Sequence, residues 1–465
     1  MKSDRQNIPC LTRRELLRVG GISLVGGYLN AFHPFNVRAQ EKVRPMATAR
    51  QVIFVNIEGG MSQVDTLDAK EGPWTPDYFD IRSYSGDLKL PAGLFKQLPG
   101  VLDKITVVRS LTAWDAVHGR AQYYIQTGHP LNLALAKEVP AIGAVICSEL
   151  AGQRKPTDSL PSFIAMNLAG NQAGPINQGF LSAEFCPLNL SVGDGPPNLA
   201  PQKGMEETFK RRWERLQQLD RTLRIDNGNL DRGFADYHEY YRGAWAMMND
   251  PRVPEVMTIT DEEKKRYGSS SIGNSLILSR NLLRADAGTR FIMANHGGWD
   301  HHANIYKPNT RNHPVLIREL DVAFSNLIKD LESIPSAHAP GKTLLDETLV
   351  IAMSEFGRTT GNISETRKGR EHYMQVHSGM LAGGGIKRGA VIGKTDEAGA
   401  KIVDPGWSGN RSIYMEDIAC TIYSALGIDW TKRIETTPSG RAFHYVEPAS
   451  GTKYVDFKPV REFFS

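Results

Sequence analysis

Cysteine, long apolar runs and net charge are all scarce in this sequence, and each shortage excludes a class of protein. Only four cysteines occur among 465 residues, and three of them lie beyond the first 40 residues. An odd number of widely spaced cysteines is not a disulfide framework, and no Cys/His spacing typical of a zinc site is present. No uncharged apolar run reaches the roughly 18–20 residues of a membrane span, so a multi-span membrane protein is excluded.

The excess of basic residues is confined to the N-terminus. The chain carries 55 Lys and Arg against 51 Asp and Glu, but residues 1–39 hold six of the basic and two of the acidic residues. The remainder therefore carries 49 of each and is formally neutral. Nucleic-acid binding needs a net basic face, so we expect no nucleic-acid partner.

The N-terminus has the layout of an export signal. Arg13 and Arg14 precede the uncharged segment 19–32, and a small-residue cleavage pattern ends at Ala39. The uncharged segment is too short and too rich in glycine for a stable membrane anchor. The arginine pair resembles a twin-arginine signal, so we predict residues 1–39 to be a signal peptide and the protein to be periplasmic or otherwise exported. A basic helix start within a globular fold is the alternative.

Short apolar runs alternate with helical patterns along the rest of the chain. Strands are predicted at residues 51–57, 104–110, 162–166, 289–295, 348–354 and 380–382. Continuous apolar strands separated by helices predict an α/β fold with a mostly parallel central sheet flanked by helices on both faces. We expect a single domain over residues 40–465, with a helical insertion around 204–248.

Histidines and carboxylates concentrate where the predicted strands end. Ligands of open parallel sheets bind beyond the carboxyl ends of the strands, so we expect these side chains to lie close together. Imidazoles with carboxylates are ligands of zinc, iron or manganese, and one or two such ions suit hydrolysis of a phosphate or sulfate ester. The predicted metal ligands are Glu58, Asp300, His302, Glu355 and His372.

Two further residues near these strand ends have predicted catalytic roles. His118 is a nucleophile or another metal ligand, and Arg358 holds an anionic group, because a guanidinium fits such oxyanions. Simpler structural roles remain open for every candidate. They are a polar turn at Asp300 and His302, a helix-capping or core histidine at His118, a salt bridge between Glu355 and Arg358, a loop histidine at His372 and a solvated turn at Glu58.

Several segments resemble the uncharacterised family called domain of unknown function 1501, within the alkaline phosphatase-like group. Besides the twin-arginine leader, they are 58–68 (EGGMSQVDTLD), 178–181 (QGFL), 298–302 (GWDHH), 348–358 (TLVIAMSEFGR), 369–372 (GREH) and 392–396 (IGKTD). They span nearly the whole chain after the leader. The resemblance implies an alkaline phosphatase-like fold, which phosphatases, sulfatases and phosphoglycerate mutases share.

The resemblance also assigns places to the candidate residues. The group has an Asp metal ligand after its first strand, where Glu58 stands, and an Asp-His pair after a late strand, where this chain has Glu355 and Phe356. His118 falls at the place of the sulfatase nucleophile, and the cysteine that becomes formylglycine is missing there. Asp300 and His302 match a further Asp and His pair, and His372 matches the last His of the group.

Two functions follow as expectations. The first is an exported, metal-dependent hydrolase that acts on a phosphate or sulfate ester of a small molecule or a glycan. The alternative is a non-catalytic periplasmic binding or assembly protein on a degenerate alkaline phosphatase-like fold. The alternative rests on Phe356, which replaces the imidazole of the Asp-His pair.

Overall fold

The structure, a computed structural model, describes residues 43–168, 170–192, 204–226, 232–308, 310–448 and 455–465. The predicted signal peptide, residues 1–39 with Arg13 and Arg14, lies outside the described residues. Arg44–Ser465 forms one compact unit. Within the described ranges, no helix is both long enough and apolar enough to cross a membrane.

An eight-stranded sheet lies at the centre of this unit. Its strands are β1 (Gln51–Ile57), β2 (Ile105–Leu111), β3 (Phe163–Met166), β4 (Leu188–Leu190), β5 (Phe291–Asn295), β6 (Thr348–Ser354), β7 (His377–Ala382) and β8 (Ala390–Ile392). Their spatial order is β8-β2-β7-β6-β1-β5-β3-β4. Of these eight strands, β7 alone runs antiparallel to its neighbours, which confirms the predicted mostly parallel sheet.

Ten α-helices surround the sheet in the described part of the chain. They are α1 (His118–Thr127), α2 (Ile142–Glu149), α3 (Glu206–Asp226), α4 (Arg232–Met248), α5 (Arg252–Val256), α6 (Asp261–Tyr267), α7 (Ser271–Arg284), α8 (His313–Ser333), α9 (Leu344–Glu347) and α10 (Met415–Ala425). Helices α3 and α4 occupy the segment 204–248. Helix α1 ends at Gly128, whose left-handed φ of 74° suits a helix C-terminus.

Successive side chains along each strand point to opposite faces of the sheet, and an apolar core covers each face. On β5, Ile292 and Ala294 join the core built with α7 and α8, whereas Phe291 packs edge-on against Phe163 of β3. A Cβ at Gly143 of α2 would lie 2.5 Å from Phe291, so glycine allows α2 to approach this face closely. All residues of β1, β5 and β6 are buried, as expected for strands covered on both sides.

Parallel pairing brings the ends of the three central strands level. Asn56 of β1 pairs with Asn295 of β5, and Ile57 of β1 pairs with Ser354 of β6. The residues that follow these strands therefore emerge at one edge of the sheet. A small ribbon of Gly357–Arg358 and His372–Tyr373 lies after β6 and pairs Arg358 with His372.

Shorter elements complete the described residues. Three more two-stranded ribbons pair Ile81–Ser83 with Lys89–Pro91, Lys394–Thr395 with Ile402–Asp404, and Arg433–Ile434 with Phe443–His444. Short 3-10 helices occur at Gln63–Asp65, Asp77–Phe79, Ser85–Asp87, Leu98–Lys104, Ala151–Gln153, Ala183–Phe185 and Arg461–Phe463.

Candidate metal centre

Three imidazoles and one carboxylate meet beyond the carboxyl ends of β1, β5 and β6. The Nε2 atom of His302 lies 3.0 Å from Asp300 Oδ1, and the Nε2 atoms of His118 and His372 each lie 3.2 Å from the same oxygen. The Nε2 atoms of His302 and His372 are 3.0 Å apart. We call these four residues the imidazole cluster. Their side chains are 23% to 44% exposed, so the cluster opens to solvent.

Each imidazole of the cluster presents its other ring nitrogen, Nδ1, to an oxygen atom. A hydrogen-bond acceptor at Nδ1, as at His118 and His372, orients the ring and leaves Nε2 as the ligand atom, which is the usual arrangement around metal-bound histidines. The contact of His302 with Glu371 is an ion pair without hydrogen-bond geometry. The three Nδ1 contacts are His118 to Glu355 Oε1 at 2.9 Å, His302 to Glu371 Oε2 at 2.6 Å, and His372 to the Ala116 carbonyl oxygen at 2.6 Å.

The turn after β1 brings Glu355 and Asp300 together. The Gly59 N–H is shared between the Glu355 oxygens, at 2.9 Å from Oε1 and 3.2 Å from Oε2. Gly59 has a φ of 116°, and a Cβ there would lie 2.5 Å from the Asp300 backbone nitrogen. Because only glycine tolerates both conditions, Gly59 lets the Asp300 backbone pass close to the buried Glu355.

Two loops bring His302 and His372 to the same point. A Cβ at Gly369 would lie 2.0 Å from the His302 carbonyl carbon, so the loop before His372 packs directly on the His302 backbone. The Arg370 N–H donates to the His301 carbonyl at 3.1 Å and strengthens this contact. Backbone packing between the loops therefore explains how the two imidazoles meet.

Arg358 is fully buried and holds the cluster in place. Because its guanidinium is committed within the protein, the prediction that it holds an anionic group does not fit the structure. The predicted salt bridge with Glu355 is replaced by an ion pair with Asp300. The oxygens that accept from the guanidinium are the Gly59, Gly60 and Arg370 carbonyls and Asp300 Oδ1.

Glu58 lies beside the cluster. The Asn295 side chain donates to its Oε2 at 2.5 Å. Burial raises the pKa of Glu58; the Asn295 hydrogen bond opposes that rise, and the nearby Glu355 charge adds to it. Within the described residues, the ion pairs of His118 are with Asp300 and Glu355, and none joins it to Glu58. Glu58 is therefore a neighbour of the imidazole cluster and not a member of it.

The charges within the cluster stabilise one another. Burial alone would lower the pKa of His118, but Asp300 and Glu355 outweigh it and raise that pKa to about 9. Burial would raise the pKa of Asp300, yet His118 and Arg358 hold it well below its usual range. The pKa of His372 is lowered by burial and then by the Arg358 and His118 charges. At neutral pH without a metal, the cluster therefore pairs an imidazolium at His118 with a carboxylate at Asp300.

A divalent cation fits this donor set. Ligand atoms of a tetrahedral zinc ion at about 2.0–2.1 Å lie about 3.3 Å from each other. The Nε2 atoms lie 3.0–3.2 Å from Asp300 Oδ1, and the donor atoms of His118, Asp300 and His372 all lie within 4.8 Å of one another. His118 Nε2 is shielded from solvent and contacts Asp300 Oδ1 without hydrogen-bond geometry, as expected of two atoms that would bind one ion.

Five other histidines near the predicted strand ends do not join the cluster. They bond within the protein instead; for example, the Nδ1 atoms of His301 and His313 lie 3.3 Å apart. Their burial shows that proximity to a strand end does not by itself make a histidine a ligand. These five buried histidines are His129, His296, His301, His313 and His377.

Sequence analysis missed two of the three groups that face Nδ1 atoms. Glu371 was not among the predicted site residues, although it stands directly before His372 and next to a basic residue in the sequence. The Ala116 carbonyl has no sequence signal, because a backbone oxygen is present at every residue. His118 opens α1, but its side chain does not cap that helix.

Comparisons with solved structures return matches at low identity. A protein of the alkaline phosphatase superfamily from Vibrio parahaemolyticus shares 9% identity over 83% of this chain and 69% of its own, with a TM-score of 0.37. A phosphonate monoester hydrolase from Silicibacter pomeroyi shares 10% over 82% and 73%, with a TM-score of 0.37. A sulfatase from Pseudoalteromonas sp. shares 12% over 88% and 72%, with a TM-score of 0.35. We base no argument on likenesses this distant.

The comparison of sequences identifies the family. No curated protein matches the chain significantly. One family profile matches residues 49–454, which include all four residues of the imidazole cluster. The chain therefore belongs to the family described as protein of unknown function (DUF1501).

Proposed function

We propose that this chain is an exported, metal-dependent hydrolase of phosphate or sulfate esters. The observation that carries the proposal is the convergence of three Nε2 atoms on Asp300 Oδ1 at the carboxyl edge of the sheet. This donor set suits zinc, iron or manganese. The edge where it lies is also where open α/β sheets bind their ligands.

The residues of the imidazole cluster would hold one divalent ion, which supplies Lewis acidity toward the ester oxygen. Of the two predicted roles of His118, that of ligand fits better, because its Nε2 faces the same oxygen as the other imidazoles. Glu355 orients His118 through Nδ1 and is thus an outer partner of the ion. Glu58, whose Oε2 accepts from Asn295 beside the cluster, would be a ligand of a second ion.

The surroundings of the cluster favour binding of a cation before an anionic ester. Glu58, Glu355, Glu371 and Asp300 contribute four carboxylates around the cluster, and the buried guanidinium of Arg358 pairs with one of them, Asp300. An anionic substrate therefore depends on the ion for its attraction to the site. Because the cluster opens to solvent, an ester of a glycan is as suitable a substrate as that of a small molecule. The proposal of export rests on the resemblance of residues 1–39 to a twin-arginine signal.

The test is metal-dependent turnover. The full chain is treated with a chelator, reloaded separately with zinc, iron or manganese, and assayed on phosphate monoesters, phosphate diesters and sulfate esters, including sulfated glycans. We expect turnover of at least one ester class that chelation abolishes and reloading restores, and that Asp300→Asn lacks. Absence of turnover with every ion and ester would contradict the proposal.

A non-catalytic binding protein is the second candidate, and Phe356 is the observation that favours it. The Phe356 ring is fully buried against the rings of His118 and His372, with centroids 4.9 Å and 4.7 Å away. Phe356 contributes only packing at a place where a histidine would contribute one more metal ligand. Stoichiometric binding of a sulfate or phosphate ester by the metal-loaded chain, without turnover, would support this candidate.

A further inference from the structure

A buried carboxyl group lies behind the cluster, at the start of α10. Glu416 is 0% exposed and accepts two side-chain hydrogen bonds. Trp114 Nε1 donates to Oε1 at 2.8 Å, and the Tyr124 hydroxyl donates to Oε2. The Met415 N–H in turn donates to the Tyr124 hydroxyl at 3.0 Å, which fixes the phenol. Both oxygens of Glu416 are thus engaged by neutral donors.

These two donors flank the residues that build the cluster. Trp114 precedes Ala116 and His118, and Tyr124 follows them on α1. The Ala116 carbonyl orients His372, and His118 itself contacts Asp300. Glu416 therefore ties down both ends of a segment that sets the position of two of the three imidazoles.

Tyr124 also lies close to Glu355, the carboxylate that contacts His118 of the cluster. Tyr124 and Glu355 both line a cavity of about 10 Å³, close to the volume that one water molecule needs. Glu355 is the carboxylate that faces His118 Nδ1. A displacement of Tyr124 therefore reaches the partner of His118 directly.

We infer that Glu416 is a positioning residue that holds His118 and the Ala116 carbonyl in the metal-binding arrangement, and that uptake of a proton by Glu416 loosens the site. An ionised carboxylate accepts from both donors, whereas the protonated oxygen of a carboxylic acid becomes a donor and gives up one of them. The inference rests on the proposed metal centre but concerns residues outside it.

The electrostatic surroundings place this proton uptake near neutral pH. Burial raises the pKa of Glu416 to about 7, against the opposing hydrogen bonds from Tyr124 and Trp114. Arg411 forms its ion pair with Asp417, so the positive charge of Arg411 is already paired with a carboxylate other than Glu416. The titratable groups that interact with Glu416 are Tyr124 of α1, Arg411 and Tyr414 before α10, and Asp417 and Cys420 of α10.

The experiment is a titration of the chelated full chain with Zn²⁺ from pH 6 to pH 8, in the wild type and in Glu416→Gln. Loss of a group that bonds directly to a ligand weakens metal binding by about 10- to 100-fold, and Glu416 lies one contact further from the ligands, so its loss should fall at the lower end of that range. We expect that loss in Glu416→Gln at pH 8, and we expect the two proteins to converge at pH 6, where the wild-type carboxyl is protonated. Proton competition at the histidine ligands affects both proteins alike and cancels in the ratio.

Two further variants separate positioning from general support of the fold. Asp321→Asn, which alters a buried carboxyl group of α8 that accepts from the N–H groups of residues 96–98, is the matched control, and its affinity ratio to the wild type should not vary with pH. Tyr124→Phe removes a donor to the ionised carboxyl, so the midpoint of the pH dependence should move upward. It also serves if Glu416→Gln does not fold.

The outcomes distinguish the inference from the proposal on which it rests. If the wild type does not bind Zn²⁺ at any pH, the metal centre fails and the inference with it. If the wild type binds but Glu416→Gln differs by the same factor at pH 6 and pH 8, or does not differ, the inference alone is overturned. A lower melting temperature with an unchanged pH profile would show a merely structural role.

Discussion

His301 and His302 are consecutive in the chain but belong to two different groups of histidines. His302 joins the site histidines, which are His118, His302 and His372, around Asp300. His301 turns inward and contacts His313 in the core. We call the buried histidines His296, His301, His313 and His377 the core histidines.

Burial keeps the core histidines neutral. His313 Nε2 accepts from the Ser62 N–H at 3.0 Å, so its proton resides on Nδ1 and is donated to His301 Nδ1. Burial lowers the pKa of all four, even that of His296, which lies 3.0 Å from the Glu319 carboxylate. His118 differs because it is partly exposed and lies between two carboxylates, so its pKa rises. Solvent access and two matched carboxylates therefore distinguish His118 from the core histidines.

The largest expected effect is on stabilisation by metal. Zn²⁺ at about 100 times its Kd should stabilise the folded chain by about 2.7 kcal/mol. Asp300→Asn should abolish that gain, because the oxygen shared by three imidazoles loses its charge. Thermal unfolding with and without Zn²⁺ measures the effect. Asp65→Asn, which alters a buried carboxylate paired with Arg370 outside the cluster, should keep the full gain.

Removal of the carboxylates that face Nδ1 atoms should give the next largest effect, a loss of Zn²⁺ affinity. Glu355→Gln should weaken Zn²⁺ binding by about 10- to 100-fold, since its side chain is fully buried against His118. Glu371→Gln should weaken it by no more than about threefold, because the Glu371 side chain is 52% exposed and its charge is screened. Calorimetric titration compares the two. An equal loss would show that burial of the partner does not matter.

The core histidines should affect stability without affecting metal. His313→Ala removes the acceptor of the buried Ser62 N–H and leaves a cavity, at a cost of about 2 kcal/mol of unfolding free energy. The Zn²⁺ stoichiometry should stay that of the wild type. Urea unfolding and elemental analysis check both parts. Loss of metal in this variant would erase the distinction between the two groups.

The smallest expected effect is on the pH dependence of the metal-free protein. The folded-state pKa of His118, about 9, lies above its usual value of 6.5. Its contribution is therefore fully present below about pH 6.5 and is lost as the pH rises through about 9. With discount for its partial exposure, we expect about 1 kcal/mol. Urea unfolding of the wild type and of His118→Gln measures the effect. The difference in unfolding free energy between the two proteins should be present at pH 6 and absent at pH 10.

The sequence was most informative about the buried strands. The apolar runs at 51–57 and 348–354 match β1 and β6 residue for residue. By contrast, β7 begins at His377, three residues before the strand predicted at 380–382. Its first two residues, His377 and Ser378, are polar yet buried. A search for apolar runs therefore does not detect the start of this buried strand.

For the site, the position of residues just after predicted strands indicated which side chains lie close together. It did not indicate the role of each side chain. Glu58, Asp300, His302, Glu355 and His372 all lie at the predicted edge. Arg358 was predicted to hold an anionic group, because nothing in the sequence reveals that three backbone carbonyls surround its guanidinium. Contacts made by backbone atoms decide its role, and they depend on loop packing that has no signature in residue type.

The most direct test of the central claim is the metal content of the folded protein, measured by elemental mass spectrometry after exposure to zinc, iron and manganese. The wild type is compared with the double variant Asp300→Ala/His302→Ala, and His313→Ala controls for damage to the fold. The account predicts one equivalent of a transition metal in the wild type and in His313→Ala, and none in the double variant. No bound metal in the wild type, or retention of the metal by the double variant, would contradict it.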